Sequence, residues 1–257
     1  MSNYQIRPLK TGTIIVDKGA YITRGIDIGK EVEIPATAWY LTDGHRKIMV
    51  DIGMCHTSLA DWHHHGSWQE PGEAVHERLR ALGVDPAEIE LIIFTHLHWD
   101  HCHNLDQFPN ARFLVSAREY EFALDPIPPY YKSYEHHKLG KRAPFVGIPF
   151  ETLDGENEVL PGITVFPTPG HSPGHQSVAV DTEGGVHVIA GDAVFSYDNL
   201  QPASEHLPFT ILGRFTDIIA AWRSLEEIAK RADVVLPGHD MRTMDVEVYP
   251  VMSSEKD

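Results

Sequence analysis

The chain has 257 residues, 42% of them hydrophobic, as is usual for a folded globular protein. Its formal net charge of −16 argues against nucleic acid as a substrate or partner, because phosphate binding needs a basic surface. The sequence has no run of about 18 apolar residues, so no membrane span or membrane partner is expected.

The first ten residues and the cysteines indicate the cellular compartment in which the protein is expected. The N-terminal stretch lacks the apolar segment of a secretory signal, and the two cysteines, Cys55 and Cys102, do not form a disulfide framework. We therefore expect a cytoplasmic, reduced environment. The sequence contains neither repeats nor a long low-complexity segment, so we predict a single domain over residues 1–257.

Short apolar runs between turn residues predict alternating strands and helices. Strands are predicted at residues 13–17, 36–41, 48–50, 91–94, 112–115, 150–154, 163–166, 176–180, 186–190 and 234–236. Helices are predicted at 73–82, 116–124 and 215–230, and a shorter one has Asp85 as N-cap and Pro86 at its first position.

Residues 54–71 form a long connection of unusual composition, in which Trp62 and Trp68 flank His63, His64 and His65. Long loops in compact domains are often functional. One interpretation is a hydrophobic wall for a substrate, formed by the two tryptophans. The other is that the tryptophans cover the core. In both cases we expect the three histidines to be solvated.

A dense cluster of metal-binding side chains follows the predicted strand at 91–94. It contains His96, His98, Asp100 and His101. Histidine and aspartate are costly to bury without partners, whereas metal ions can occupy their lone pairs. Imidazole and carboxylate together suit zinc, and also cobalt, manganese or iron. Cys102 beside this cluster is expected to be a small packed side chain.

The segment at 125–134 is rich in proline and tyrosine, including Tyr131. Proline stiffens such a segment and tyrosine supplies contact area. The segment is interpreted either as a pocket wall, with Tyr131 touching the substrate, or as a dimer contact. The sequence alone leaves both open.

Three further ligand candidates each follow an apolar run and a small residue. Tight turns of proline and glycine present such side chains at the rim of a sheet. The complete set of candidate ligands is His96, His98, Asp100, His101, His171, Asp192 and His239. By themselves these residues indicate a hydrolase with two metal ions.

The order and spacing of this set resemble the metallo-β-lactamase superfamily over roughly residues 13 to 245. The resemblance implies an α/β (α+β) fold, a four-layer αββα sandwich with two divalent metal ions between the sheets, most often zinc. It implies one metal held by His96, His98 and His171. It implies a second metal held by Asp100, His101 and His239, with Asp192 bridging both. Asp51 is then expected either to support a ligand histidine or to be an ordinary turn carboxylate.

Such a site implies hydrolysis of an ester-like bond. Two metals lower the pKa of a shared water, so that hydroxide attacks a carbonyl carbon, and Asp100 is a plausible proton carrier and catalytic residue. The run at 168–177, Asp100 within its motif and the His239-Asp240 pair resemble N-acyl homoserine lactone lactonases. We therefore predict that the protein opens a lactone ring of a small-molecule substrate, with quorum quenching as the implied role. Related lactonases also make a homodimer possible.

One position departs from the lactonase pattern. Phe195 stands where such lactonases usually carry a tyrosine that contacts the substrate carbonyl, and phenylalanine donates no hydrogen bond. Either the lactone differs or another group takes this role, and Phe195 is predicted to face the substrate. The alternatives are hydrolases of the pyridoxolactonase, glyoxalase II or β-lactamase kind. A metal-stabilised binding protein is the non-enzymatic alternative, and it predicts gaps in the ligand set.

Overall fold

The computed structural model describes residues 3–56, 58–59 and 66–251. In these ranges the first sheet has seven strands in the spatial order β4-β1-β2-β3-β5-β6-β7. They are β1 (Gln5–Asp17), β2 (Glu31–Thr42), β3 (Lys47–Ile52), β4 (Ser67–Trp68), β5 (Leu91–Ile93), β6 (Arg112–Ser116) and β7 (Phe150–Leu153). The pairs β4-β1, β1-β2 and β2-β3 are antiparallel. The pairs β3-β5, β5-β6 and β6-β7 are parallel.

The second sheet has five strands in the order β12-β11-β10-β9-β8. They are β8 (Asn157–Leu160), β9 (Ile163–Pro167), β10 (Gln176–Thr182), β11 (Gly185–Gly191) and β12 (Val234–Pro237). The α-helices whose bounds lie within the described ranges are α1 (Lys18–Tyr21), α2 (Val75–Ala81), α3 (Ala117–Leu124) and α4 (Ile218–Arg231). None of them is long and apolar enough to cross a membrane.

Alternating side chains divide the core into three layers. Ile93 of β5 lies between the two sheets, together with Val178 of β10. Its neighbour Ile92 points the other way, into a cluster that includes Leu79 of α2. On the far side, Leu225 of α4 packs under the second sheet. Burying each of these side chains stabilises the fold by about 1.5–3 kcal/mol. Helices thus cover both outer faces, and the predicted αββα sandwich is confirmed.

The boundaries differ from the predictions where polar residues interrupt the apolar pattern of a strand or where an N-cap sets the beginning of a helix. Strand β1 begins at Gln5 and not at residue 13, because Arg7, Pro8 and Lys10 interrupt the apolar pattern although the backbone pairs with β2. Strand β8 was not predicted. Helix α4 begins at Ile218, since the Asp217 side chain caps its first turn. The predicted capping by Asp85 is confirmed.

Candidate metal centre and its cavity

The seven candidate ligands meet at one edge of the sandwich because each follows the end of a strand. His96 to His101 follow β5, His171 lies between β9 and β10, and Asp192 and His239 follow β11 and β12. Gly191, directly before Asp192, has a φ of +51°, and a Cβ there would lie 2.8 Å from His175 Nε2. Only glycine therefore fits this turn.

The ligand side chains form two groups, in each of which the ligand atoms lie within 4.8 Å of one another. The first group is His96, His98, His171 and Asp192. The second group is Asp100, His101 and His239. The side chain of Asp192 is 3% exposed and that of Asp100 is 12% exposed, so Asp100 is the more accessible carboxylate.

Hydrogen bonds fix the tautomer of two histidines of this centre through their outer nitrogens. His101 donates from Nδ1 to Asp51 Oδ2 over 2.8 Å. His239 donates from Nδ1 to the carbonyl oxygen of Pro35 over 2.7 Å. In the neutral ring the Nε2 atom then carries a lone pair. Both lone pairs point into the centre, as metal ligands require.

Two histidines of the first group are fixed in the same way. His171 donates from Nδ1 to the carbonyl oxygen of Arg214 over 2.9 Å. Thr95 gives its only hydroxyl hydrogen to Asp51 Oδ2 at 2.7 Å, so its oxygen accepts from His96 Nδ1 at 3.0 Å. Nε2 of His96 and Nε2 of His171 are therefore acceptors as well.

These acceptors converge on Asp192, which is itself an acceptor. Its Oδ1 lies 3.0 Å from His239 Nε2 and 3.2 Å from His101 Nε2, and its Oδ2 lies 3.2 Å from His171 Nε2. His96 Nε2 and Asp192 Oδ1 are buried and have no hydrogen-bond partner. Buried acceptors that face one another need a cation between them. The donor set therefore fits divalent metal ions.

The protonation of the histidines follows from burial and from the carboxylates. Burial lowers the pKa of His96 and His98 well below its ordinary value, so both rings are neutral. Burial acts in the same direction on His101, but Asp192, Asp100 and Asp51 together raise its pKa well above the ordinary value. A proton and a metal ion compete for that same lone pair.

Asp51 accepts hydrogen bonds from both ends of the loop that carries His96 to His101. It accepts from His101 Nδ1, from the Thr95 hydroxyl and from the Thr95 backbone N–H, the last over 2.8 Å. Its own backbone has a φ of +55°, a conformation that few residues other than glycine adopt. Of the two alternatives expected for Asp51, this geometry favours the support of a candidate ligand histidine over an ordinary turn carboxylate.

Replacing Asp51 by asparagine is expected to weaken metal binding by about 10–100-fold. The amide nitrogen cannot accept a hydrogen bond, so either the Thr95 backbone N–H loses its acceptor, or His101 Nδ1 and the Thr95 hydroxyl lose the oxygen that they share. A competition titration with a chelating dye measures the affinity, and circular dichroism checks the fold. The exposed Asp106→Asn is the matched control. An unchanged affinity in Asp51→Asn would show that His101 does not depend on this carboxylate for its orientation.

Two buried residues hold the ligand loops without being ligands. His175 accepts the Asp192 backbone N–H at Nε2 over 3.0 Å, and burial lowers its pKa to about 3. With Nε2 occupied in this way, His175 is not among the candidate ligands of either group. Glu119 of α3 accepts from Leu97 N at 3.0 Å and from Ser172 Oγ at 2.6 Å, which joins two ligand loops. Sequence reasoning missed Glu119, because a glutamate in a first helical turn is ordinary.

Cys102 packs where the sequence suggested. It is fully buried and its Sγ donates to the Leu97 carbonyl oxygen over 3.4 Å. A further cluster joins Cys55, His103 and Glu135. Lys141 Nζ lies 2.6 Å from Glu135 Oε1, so a cation is already present there. Burial raises the pKa of Cys55 to about 12, which keeps it a neutral thiol.

A cavity of about 240 Å³ opens onto His98, Asp100, His171 and Asp192. Its apolar wall consists of Ile14, Val16, Ile34, Trp99, Pro129 and Phe195. Its polar wall consists of Tyr21, Lys132, Ser133 and Arg214. The site thus combines a shielded candidate metal centre with a cavity that has both an apolar and a polar wall, as substrate pockets do.

Only some of the residues predicted to touch the substrate lie at the cavity. Phe195 lines the cavity, with its ring centroid 4.6 Å from that of His239. Trp68 pairs with Thr13 at the edge of the first sheet and is not among the residues that line this cavity in the described ranges. Trp62 and the run from His63 to His65 lie outside the described residues.

The geometry does not support a substrate contact for Tyr131. Its ring stacks on His136 with the centroids 4.3 Å apart, and its hydroxyl accepts from Lys138 Nζ over 2.8 Å. The following residues, Lys132 and Ser133, line the cavity instead. The proline-rich segment is therefore a pocket wall, but it presents other side chains than the tyrosine that the sequence favoured.

Known proteins are similar to this chain in sequence and in fold. It is similar to N-acyl homoserine lactonase AiiA of Bacillus thuringiensis subsp. kurstaki, with 26% identity over 94% of this chain and 96% of that protein. It is also similar to N-acyl homoserine lactonase AttM of Azorhizobium caulinodans, with 28% identity over 82% of this chain and 84% of that protein.

A solved structure of an N-acyl homoserine lactone hydrolase, with the product N-hexanoyl-L-homoserine bound at its catalytic metal centre, superposes with a TM-score of 0.75. It is 25% identical, and the match covers 97% of this chain and 99% of that one. A sequence model of the metallo-beta-lactamase superfamily matches residues 33–239, which is most of the chain. The chain therefore belongs to the metallo-β-lactamase superfamily.

Proposed function

We propose that the protein is a metal-dependent lactonase that hydrolyses N-acyl homoserine lactones. The observation that carries this proposal is the set of inward-facing acceptors around Asp192, which adjoins a cavity with an apolar and a polar wall. The similarity to proteins named N-acyl homoserine lactonase supports the substrate class. Two divalent ions, zinc being the first candidate, would occupy the two ligand groups.

Bound divalent metals would supply a hydroxide at neutral pH and polarise the lactone carbonyl. The protein contributes the arrangement around them. His96, His98 and His171 would hold one ion, and the second group would hold the other. Asp192 lies between the two groups and would touch both ions.

Asp100 and the apolar wall have separate tasks in this proposal. Asp100 reaches the cavity, and its carboxylate would accept the proton released when the carbonyl carbon is attacked and pass it to the leaving alkoxide. Trp99, Ile34 and Phe195 exclude water and would pack against the ring or the acyl chain. No serine or cysteine nucleophile is required, which agrees with the buried, protonated state of Cys102.

A panel of substrates tests the proposed function. The metal-loaded protein is assayed by acid release on short- and long-chain N-acyl homoserine lactones, a simple γ-lactone, a glutathione thioester and a β-lactam. Turnover of the acyl homoserine lactones supports the proposal. Turnover of the thioester or the β-lactam alone overturns it in favour of a glyoxalase II- or β-lactamase-like enzyme. Metal binding without any turnover would favour a binding protein.

Replacing Phe195 by tyrosine is expected to change kcat for lactones by about tenfold or more. The ring lines the cavity, so a hydroxyl there would reach the substrate and add a hydrogen-bond donor for a developing oxyanion. Steady-state kinetics on one acyl homoserine lactone measures the effect. Phe209→Tyr, at a half-buried phenylalanine outside this cavity, is the control. Equal kinetics for Phe195→Tyr and the wild type would place the substrate elsewhere.

Three broader expectations remain proposals. The two free, buried cysteines agree with a reduced, cytoplasmic setting. A single domain is supported by the core between the sheets, which draws on both of them. A homodimer is an expectation by analogy with lactonases, and size-exclusion chromatography with light scattering tests it.

A further inference from the structure

His98 differs from the other four candidate ligand histidines in the nitrogen that faces the centre. Its Nδ1 lies 2.9 Å from His171 Nε2, which is an acceptor because His171 Nδ1 donates to a backbone carbonyl oxygen. A histidine that binds a metal ion through Nδ1 carries its hydrogen on Nε2. The N–H group of His98 is therefore Nε2–H, whereas the other four histidines donate from Nδ1 to an oxygen atom.

An aromatic ring, and not an oxygen atom, lies against the side chain of His98. Nε2 of His98 is buried and has no hydrogen-bond partner among the described residues. The ring of Tyr134 packs on the imidazole with the centroids 4.7 Å apart and the planes at 67°, which is an edge-to-face contact. The face of an aromatic ring carries partial negative charge and attracts an N–H group. The ring of Tyr134 can therefore accept the Nε2–H group of His98.

The ring of Tyr134 is itself fixed by the residue that joins two ligand loops. Tyr134 is 1% exposed, and its hydroxyl donates to Glu119 Oε1 over 2.8 Å. The same Glu119 carboxylate accepts from Leu97 N, next to His98, and from Ser172 Oγ, next to His171. The position of the ring is thus tied to both loops that carry ligands of the first group.

We propose that Tyr134 is a positioning residue of the candidate metal centre: the face of its ring accepts Nε2–H of His98 and so directs Nδ1 towards the first ligand group. The ring then has the role that an oxygen atom has for each of the other four histidines. This inference concerns the metal centre on which the proposed function rests. Among the candidate ligands of the described ranges, the ring of Tyr134 contacts His98 alone, so its removal should affect the first group selectively.

Metal titration of two variants at this position tests the role of the ring. Tyr134→Leu removes the ring and is expected to weaken the binding of one of the two ions by about 10–100-fold, while the other ion binds as in the wild type. Tyr134→Phe keeps the ring and should retain most of the affinity. The readouts are competition with a chelating dye and the visible absorption of cobalt, whose bands report the ligand geometry of each ion.

Tyr120→Leu is the matched control for a merely structural effect. Tyr120 is half-buried beside the same core cluster, and its ring packs on Phe150 with the centroids 5.2 Å apart. This variant should bind both ions as the wild type does. Equal affinities for both ions in Tyr134→Leu and the wild type would overturn the inference. A loss in Tyr134→Phe as large as that in Tyr134→Leu would also overturn it, because the hydroxyl and not the ring would then matter.

A measurement on the wild type decides the inference even if Tyr134→Leu does not fold. In zinc-loaded protein with ¹⁵N-labelled histidine, NMR identifies His98 as the metal-bound ring that carries its hydrogen on Nε2. This proton is expected upfield of the N–H protons of the other metal-bound rings, because it lies over an aromatic face and they are bonded to oxygen. A downfield position among those protons would show an oxygen acceptor and would overturn the role of Tyr134.

The inference and the proposed function can fail separately. If the upfield proton and the selective loss in Tyr134→Leu are found but no lactone is hydrolysed, the inference stands and the proposed function fails. If lactones are hydrolysed and Tyr134→Leu binds both ions as the wild type does, only the inference fails. Wild-type protein that binds no divalent ion would overturn both.

Discussion

Removal of divalent metal ions is expected to abolish lactone hydrolysis and to lower the midpoint of thermal unfolding by roughly 10 °C or more. Nε2 of His101 and Nε2 of His239 carry inward lone pairs that face the Asp192 carboxylate at 3.2 and 3.0 Å. Without a cation these acceptors repel one another or must take up protons. In a domain of this size each kcal/mol of lost stability lowers the midpoint by about 2–4 °C.

The experiment is dialysis against a chelator, followed by calorimetry, metal analysis and the acid-release assay. Protein dialysed without chelator is the control, and adding back zinc, cobalt or manganese in turn should restore activity. Full occupancy is expected at two ions per chain, and one ion per chain would mean that only one ligand group is used. Full activity in metal-free protein would refute the metal-dependent chemistry.

Replacing Asp100 by asparagine is expected to lower kcat by about 10²–10⁴-fold with the fold retained. Asparagine keeps the size and one oxygen, but it cannot take up a proton. Asp100 Oδ2 lies 3.6 Å from His239 Nε2 and 3.7 Å from His101 Nε2, and its side chain also reaches the cavity. It is therefore placed both to bind a metal and to exchange a proton with the substrate.

Kinetics and metal analysis on the same preparation separate these two roles. Retained metal with a reduced kcat supports proton transfer, and loss of metal in proportion to activity reduces Asp100 to a ligand. The exposed Asp154→Asn should behave as the wild type. An unchanged rate in Asp100→Asn would remove this carboxylate from the mechanism.

The sequence was most informative where residue type and spacing carry the chemistry. The ligands between His96 and His101 follow an apolar run, and glycine precedes His171 and His239, so the ends of strands could be recognised. The sequence was least informative where backbone atoms orient the side chains of the site. The carbonyl oxygens of Pro35 and Arg214 orient two candidate ligand histidines, and every residue has a carbonyl group, so the sequence does not show which one will do so.

Side-chain direction within a loop was also beyond the sequence. The segment around Tyr131 was predicted to be either a pocket wall or a dimer contact, and the stacking of its ring on His136 depends on how the loop closes. Arg214 follows a glycine in an irregular stretch, and nothing in the pattern there distinguishes a cavity cation from a solvated one. Strand β8 was not predicted, because its four residues include only two apolar ones and are too few to show an alternating pattern.

The parallel pairing of β12 with β11 determines when the centre can be complete. His239 follows β12, which pairs with β11 near the C-terminal end of the described chain, whereas His96 and His98 follow β5, far earlier. Chains are made from the N-terminus and tend to fold in that order. A nascent chain that has not yet docked β12 lacks one ligand of the second group. Full metal loading is therefore expected only in chains that have finished folding. A stalled or truncated chain would have no catalytic activity.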